Sequence, residues 1–274
     1  MIEAFSPGSV TLFFEIRERK GDLKRTGSRG VGVCVSSGVR TRIFPGKRLE
    51  VYIDGEVGEN TIQEEVAKRM GFVGRIESIV ELPVSQGFGM SGAAALSTAL
   101  AIAKLKGMSY LTAARVAHEV EVCRKSGLGD VATQYEGGFT LRLREGIQPF
   151  GVVDRLFYPS LPIFLIVFRE RGIETHEILS DPQEVFKIKK EGYRAMRSLL
   201  QKPTWKNAVK VAREFSFRTG LISEEMRDFL NRCENSTAAM IGNSAIVFGE
   251  CKEEIFDNYK VYRVELGERA RIGI

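Results

Sequence analysis

Cysteine, histidine and tryptophan are scarce in this chain. The four cysteines, Cys34, Cys123, Cys233 and Cys251, form no Cys-x-x-Cys pair, and the two histidines, His118 and His176, stand far apart. That pattern leaves little material for a zinc site built from Cys and His and predicts reduced core thiols in a cytoplasmic protein. No apolar run is long enough for a membrane span; residues 161–168 fit only a buried strand. No basic stretch followed by an apolar one opens the chain, so no secretory signal is expected. Internal repeats and low-complexity segments are also missing. The net charge of +5 is spread out, apart from the groups Arg40, Arg42, Lys47, Arg48 and Lys187, Lys189, Lys190. Without aromatic–basic interleaving this excess suits anionic small molecules at least as well as nucleic acid.

What is present is an ordinary globular composition, 43% hydrophobic and 27% charged over 274 residues. Residues 2–16 read as one or two strands broken at Pro7-Gly8, and 17–30 as a polar loop. Strands follow at 31–36, 39–44 and 49–53. Thr61-Ile62-Gln63-Glu64 is a capping box opening a helix that stops at Gly71. Residues 75–82 form a strand, and Ser109 caps a helix over about 110–125. Further strands are expected at 139–143, 152–158, 161–168, 245–248 and 259–266. Asp181-Pro182, Pro203-Thr204 and Ser223 each start a helix. The pattern changes near 155–162, which predicts two lobes, 1–158 and 159–274, with a cleft between them.

Two stretches carry chemistry. The first, Pro83-Val84-Ser85-Gln86-Gly87-Phe88-Gly89-Met90-Ser91-Gly92-Ala93, ends a strand and feeds an alanine-rich helix free of charge until Lys104. A glycine loop at a helix start offers backbone N–H groups to an anion, most often phosphate; the bland alternative is a tight turn before a packing helix. The second runs from Lys125-Ser126-Gly127-Leu128-Gly129-Asp130 to Gly137-Gly138. Its aspartate is a turn residue by default, and beside a phosphate loop a candidate base or metal ligand.

Together these stretches resemble the GHMP small-molecule kinases. Pro83 through Ala95 matches that family's central motif, Ser6-Pro7-Gly8-Ser9 is similar to its N-terminal motif, and Ser126 through Asp130 to its Ser-Gly-x-Asp segment with one residue added. Residues 236–244 stand where a Thr-Gly-Ala-Gly-Gly motif is expected and match it weakly. Details such as Gly27-Ser28-Arg29-Gly30-Val31-Gly32 and Gly127-Leu128-Gly129-Asp130 resemble archaeal pantoate kinases most; shikimate and homoserine kinases are rivals. A non-catalytic ligand sensor on the same scaffold is the alternative from another class.

The resemblance implies an α+β fold, with an N-terminal mixed β/α lobe holding the phosphate loop and a ferredoxin-like C-terminal α/β lobe. It implies ATP and Mg2+ as cofactors, pantoate as acceptor, no nucleic-acid or membrane partner, and a homodimer. Pro83, Ser85, Gly87, Phe88, Gly89, Met90, Ser91, Gly92 and Ala93 would bind the nucleotide. Ser91 would also contact the metal, and Asp130 would act as base, with Ser9 near the position where related kinases carry a lysine. The helix before Asp130 offers Glu119 and Glu121 as metal ligands. Its apolar face is Ala113, Val116, Ala117, Val120 and Cys123, and Glu121 shares a flank with His118 and Ala114. Glu119 lies i+4 from Arg115, where a surface pair is expected, so Glu121 is favoured. Ser28, His118, Arg142 and Thr175 would contact pantoate; outside the resemblance, Arg142 and Thr175 read as surface residues.

Overall fold

The computed structural model describes residues 1–19, 21–168, 178, 180–251 and 256–273. Two long strands dominate the first half. β1 (Ile2–Arg17) and β2 (Gly27–Pro45) pair antiparallel along nearly their whole length. The sequence breaks at Pro7-Gly8 and Ser37-Gly38 are not strand ends. They face each other across a register shift, and any side chain at Gly38 would collide with Ser6 and Pro7 backbone atoms. The expected loop at 17–30 is shorter than predicted: Asp22 caps one 3-10 turn, Leu23–Arg25, and β2 begins at Gly27.

The length of β2 organises the sheet. Its second half, from Val39, pairs with β5 (Gly74–Val80), which lies beside β3 (Glu50–Ile53) and β4 (Glu56–Val57). Its Gly30 to Val33 stretch pairs with β6 (Phe139–Arg144), which carries β7 (Val152–Arg155). Against this sheet packs α2 (Met90–Leu105), buried at every position from Met90 to Ala103 except Ser91. Small residues allow that depth: alanine costs little side-chain entropy and lets backbones approach. α1 (Ile62–Arg69), capped by Thr61 as predicted, and α3 (Tyr110–Arg124), capped by Ser109, pack on α2. The Asp130 segment is not a loop but the short helix α4 (Asp130–Glu136).

The second sheet is antiparallel in the order β11 (Lys260–Val264), β8 (Ile163–Val167), β10 (Ser244–Phe248), β9 (Ser236–Ala238). Numbered along the chain this is 4-1-3-2, the ferredoxin-like order. Its helices are α5 (Pro182–Gln201), α6 (Trp205–Thr219) and α7 (Glu224–Arg232). The sheets share one continuous core. α5 lies directly on β1, where a Cβ at Gly192 would approach Glu15 Cα to 2.7 Å. The final strand, β12 (Arg271–Ile272), returns to pair with β1, so the chain's end joins the first sheet although the 159–274 division assigns it to the second lobe.

The cysteines also differ from expectation. Cys233, at the end of α7, and Cys251 form a disulfide with Cα atoms 6.0 Å apart, because the exit from β10 runs back past that helix end. Cys34 is buried, and Cys123 is exposed rather than on the apolar face of α3. Among the described residues no helix is long and apolar enough to cross a membrane.

Candidate active site

The glycine loop reaches α2 through left-handed turns at Ser85, Gly87 and Gly89. Gly89 caps α2 without any side-chain hydrogen bond. The first amides of the helix are therefore left to point outward with no partner in the helix itself, at the positive end of its dipole. Strand β9 and the turn after it lean on this loop and on β1. Met240 N donates to Thr11 O at 2.8 Å, Ser244 Oγ donates to Gln86 O, and a Cβ on Gly242 would lie 2.5 Å from Gly87 N. The weak match at 236–244 thus retains what close packing requires, a glycine at 242 against the loop backbone.

Opposite the helix start, α4 places Asp130 at its first position. Ser9 Oγ donates to Asp130 Oδ1 at 2.8 Å and Thr11 Oγ1 at 3.4 Å. Burial raises the Asp130 carboxyl above its ordinary range, and the Ser9 bond, the Arg142 charge and the Thr11 bond oppose that rise. So Ser9, standing in place of a lysine, steadies this carboxylate by a neutral hydrogen bond, and the positive charge comes from β6 instead. A Cβ on Gly92 would lie 3.1 Å from Asp130 Cβ and 3.0 Å from Glu121 Oε2, so both carboxylates abut the first turn of α2.

Glu121 is 1% exposed, and its pKa is pushed up to about 8, first by burial and then by the Asp130 charge. Hydrogen bonds to Ser91 and Ser126 work against the shift, with Ser126 Oγ 3.2 Å from Oε1. Gly127 must lack a side chain here, since a Cβ would fall 2.9 Å from Glu121 Cδ and collide with Oε2. Glu119 turns away and lies 4.0 Å from Arg69 on α1 rather than beside Arg115, whose Nε donates to Gln148 O. Between the two glutamates, geometry leaves Glu121 alone in the cleft.

These groups line one cavity of about 440 Å³. Its lining includes Ile53, Thr61, Ile62, Val80, Pro83 and Val84 together with Thr11, Phe14, Ser28, Asp130, Met240 and Ile241, and also Gly87 to Ser91 and Glu121. Among the described residues no three His, Cys, Asp or Glu side chains form a self-sufficient metal cage. Two repelling carboxylates with serine hydroxyls beside them are an oxygen donor set short of positive charge. That fits Mg2+ shared with substrate phosphates.

Two expected acceptor contacts are placed differently. His118 does not line the cleft. It is 2% exposed, with Nε2 2.9 Å from Thr26 O, and burial lowers its pKa to about 4. The ring is neutral and tethers the segment leading to Ser28. Arg142 is neither a surface residue nor part of the cleft lining. It is 1% exposed, donates from Nη1 to Thr133 Oγ1 at 2.6 Å and from Nη2 to Ser28 Oγ at 3.5 Å, and burial lowers its pKa to about 10. Ser28 itself lines the cavity, and Thr175 lies outside the described residues. Thr11 joins the site from a strand whose pattern carries no chemical signal. Ser126 gains its role from Glu121, five residues earlier at the end of the same helix.

Residues 60–138 match the model of the GHMP kinases N terminal domain. Over 272 aligned residues the chain is 32% identical to the pantoate kinase of Thermococcus kodakarensis, covering 93% of this chain and 89% of that protein. This chain belongs to the GHMP kinases. Within that family it is also 30% identical to the pantoate kinase of Methanocaldococcus jannaschii, covering 94% of this chain and 96% of the relative. A solved phosphotransferase related to the CoA biosynthesis pathway superposes with a TM-score of 0.85 at 31% identity, covering 99% of this chain and 98% of the other. The mevalonate-3-kinase of Thermoplasma acidophilum shares the fold, with a TM-score of 0.70, 14% identity and coverage of 99% and 97%. The two-lobed α+β kinase fold is thereby established.

Proposed function

We propose that this kinase transfers the γ-phosphoryl group of ATP to the primary hydroxyl of (R)-pantoate, giving (R)-4-phosphopantoate for coenzyme A synthesis. The observation that carries the reading is the contact between Asp130 and the uncapped start of α2: a proton acceptor and a phosphate cradle meet in one cavity. The pantoate kinases aligned over nearly the whole chain support the choice of acceptor.

The residues divide the work along the cleft. Amides from Gly87 to Gly92 and the α2 dipole hold the phosphates without reorganising as charge moves. Glu121 and Ser91 would hold Mg2+, which neutralises phosphate charge when bound. Asp130 accepts a hydrogen bond from the pantoate hydroxyl, orients it, and takes the proton late, as a loose transition state requires. Ser9 and Thr11 fix the other face of that carboxylate. Ser28 meets the acceptor, and Arg142 behind it supplies positive charge toward the pantoate carboxylate. Met240 and Ile241 add apolar surface to the cavity wall.

A panel of pantoate, shikimate, homoserine and mevalonate with ATP and Mg2+ tests the proposal. Pantoate should give the highest kcat/KM. Turnover of another acceptor with none of pantoate would overturn the assignment.

A further inference from the structure

Gln134 is a fully buried polar side chain that touches both halves of this site, and no motif singles it out. It lies on α4, one turn after Asp130, with no exposed surface. Its Nε2 donates to Gly89 O at 2.8 Å and to Ser9 Oγ at 3.2 Å. A carbonyl oxygen only accepts, so the group facing Gly89 must be the NH2, which fixes the orientation of the amide. With one N–H on Gly89 and the other on Ser9, the Ser9 oxygen is used as an acceptor. Its own proton then points to Asp130 Oδ1, 2.8 Å away.

We infer that Gln134 is a positioning residue for phosphoryl transfer, locking the glycine loop and the Ser9–Asp130 pair into one directional chain of hydrogen bonds. The chain runs from the Gln134 amide through the Ser9 hydroxyl to the Asp130 carboxylate, and its second arm ends on the residue that caps α2. Phosphate cradle and base thus share a single anchor, so neither shifts without the other. The remaining amide atom argues against a packing role. Gln134 Oε1 is buried with no hydrogen-bond partner, close to Gly92. A leucine or methionine would fill this space without stranding an acceptor.

The inference rests on the kinase reading of the site and is tested by steady-state kinetics of Gln134→Leu, Ser9→Ala and the double variant, with thermal melts. Gln134→Leu should lower kcat by about tenfold or more through misplacement of the base. Both KM values should stay within about twofold, and the melting temperature should not fall. Because the two residues share the arm that runs through Ser9 to Asp130, the loss in the double variant should be smaller than the product of the single losses. Gln134→Met repeats the comparison if the leucine variant misfolds. Unchanged kcat, losses that multiply in the double variant, a rise in KM alone, or failure of both Gln134 variants to fold would each overturn the inference. A wild-type enzyme that prefers another acceptor would defeat the pantoate assignment, and the same comparison with that acceptor would still decide the role of Gln134.

Discussion

His118 gives a prediction that separates a buried tether from a substrate contact. Its ring is held dry against the Thr26 and Leu23 backbone, with a pKa near 4 instead of the ordinary 6.5. Desolvation is the main cause, and it disfavours the charged ring. The folded state therefore binds fewer protons than the unfolded state below pH 6.5. This contribution is complete above the unfolded pKa and is lost as pH falls toward the folded one. At about 1.4 kcal/mol per pKa unit, the full loss is about 3 kcal/mol, and about 2 kcal/mol is gone by about pH 5. Urea unfolding of wild type and His118→Gln between about pH 8 and pH 5 reads it directly. Glutamine can donate to Thr26 and does not titrate. Effects of Asp130 and Glu121 are common to both proteins and cancel in the difference. Wild type should lose about 2 kcal/mol more than the variant over that range. Parallel pH dependences would refute the reasoning and mean that the ring is solvated in the folded protein.

Other variants probe the cleft. Gly127→Ala forces a methyl group onto the Glu121 carboxylate and should cut kcat by about a hundredfold, measured as ADP release. Glu121→Gln should abolish Mg2+-dependent turnover yet raise the urea midpoint near pH 8. The folded pKa of Glu121 lies above its ordinary value, so ionisation opposes folding as pH rises through that interval. Glu119→Gln, which touches only a partly exposed pair with Arg69, should stay within about twofold in both assays. Arg142→Met should raise the pantoate KM by freeing Ser28. It should also move the acid limb of the kcat profile to higher pH, since Asp130 loses the cation that holds its carboxyl down.

The sequence exposed those parts of the site in which function leaves a local trace. Left-handed turns favour glycine, so the loop from Gly87 to Gly92 was visible in the residues. Helical periodicity placed Glu121 and His118 on one flank of α3, and both are buried there. Periodicity could not show what each would meet. Thr26 lies 92 residues from His118 along the chain, and this distant carbonyl, not a substrate, faces the ring. Arg142 resembled a surface residue because a strand pattern does not reveal that α4 covers it. Asp130 looked like part of a loop since its helix is only seven residues long and begins at a glycine. Gln134 acquires its role from partners 45 and 125 residues away, and no window on the sequence contains them. The return of β12 to β1 was hidden for the same reason.

In the proposed reaction this cleft joins the γ-phosphate of ATP to the primary hydroxyl of pantoate, with Asp130 taking the proton. Phosphorus NMR of a reaction holding ATP, Mg2+ and (R)-pantoate observes the new bond itself. One new phosphomonoester resonance, split into a triplet by the two protons on C4, should appear as ADP forms and be absent with Asp130→Asn. A doublet from the C2 position, ADP formation with no new monoester, or full activity in Asp130→Asn would contradict it.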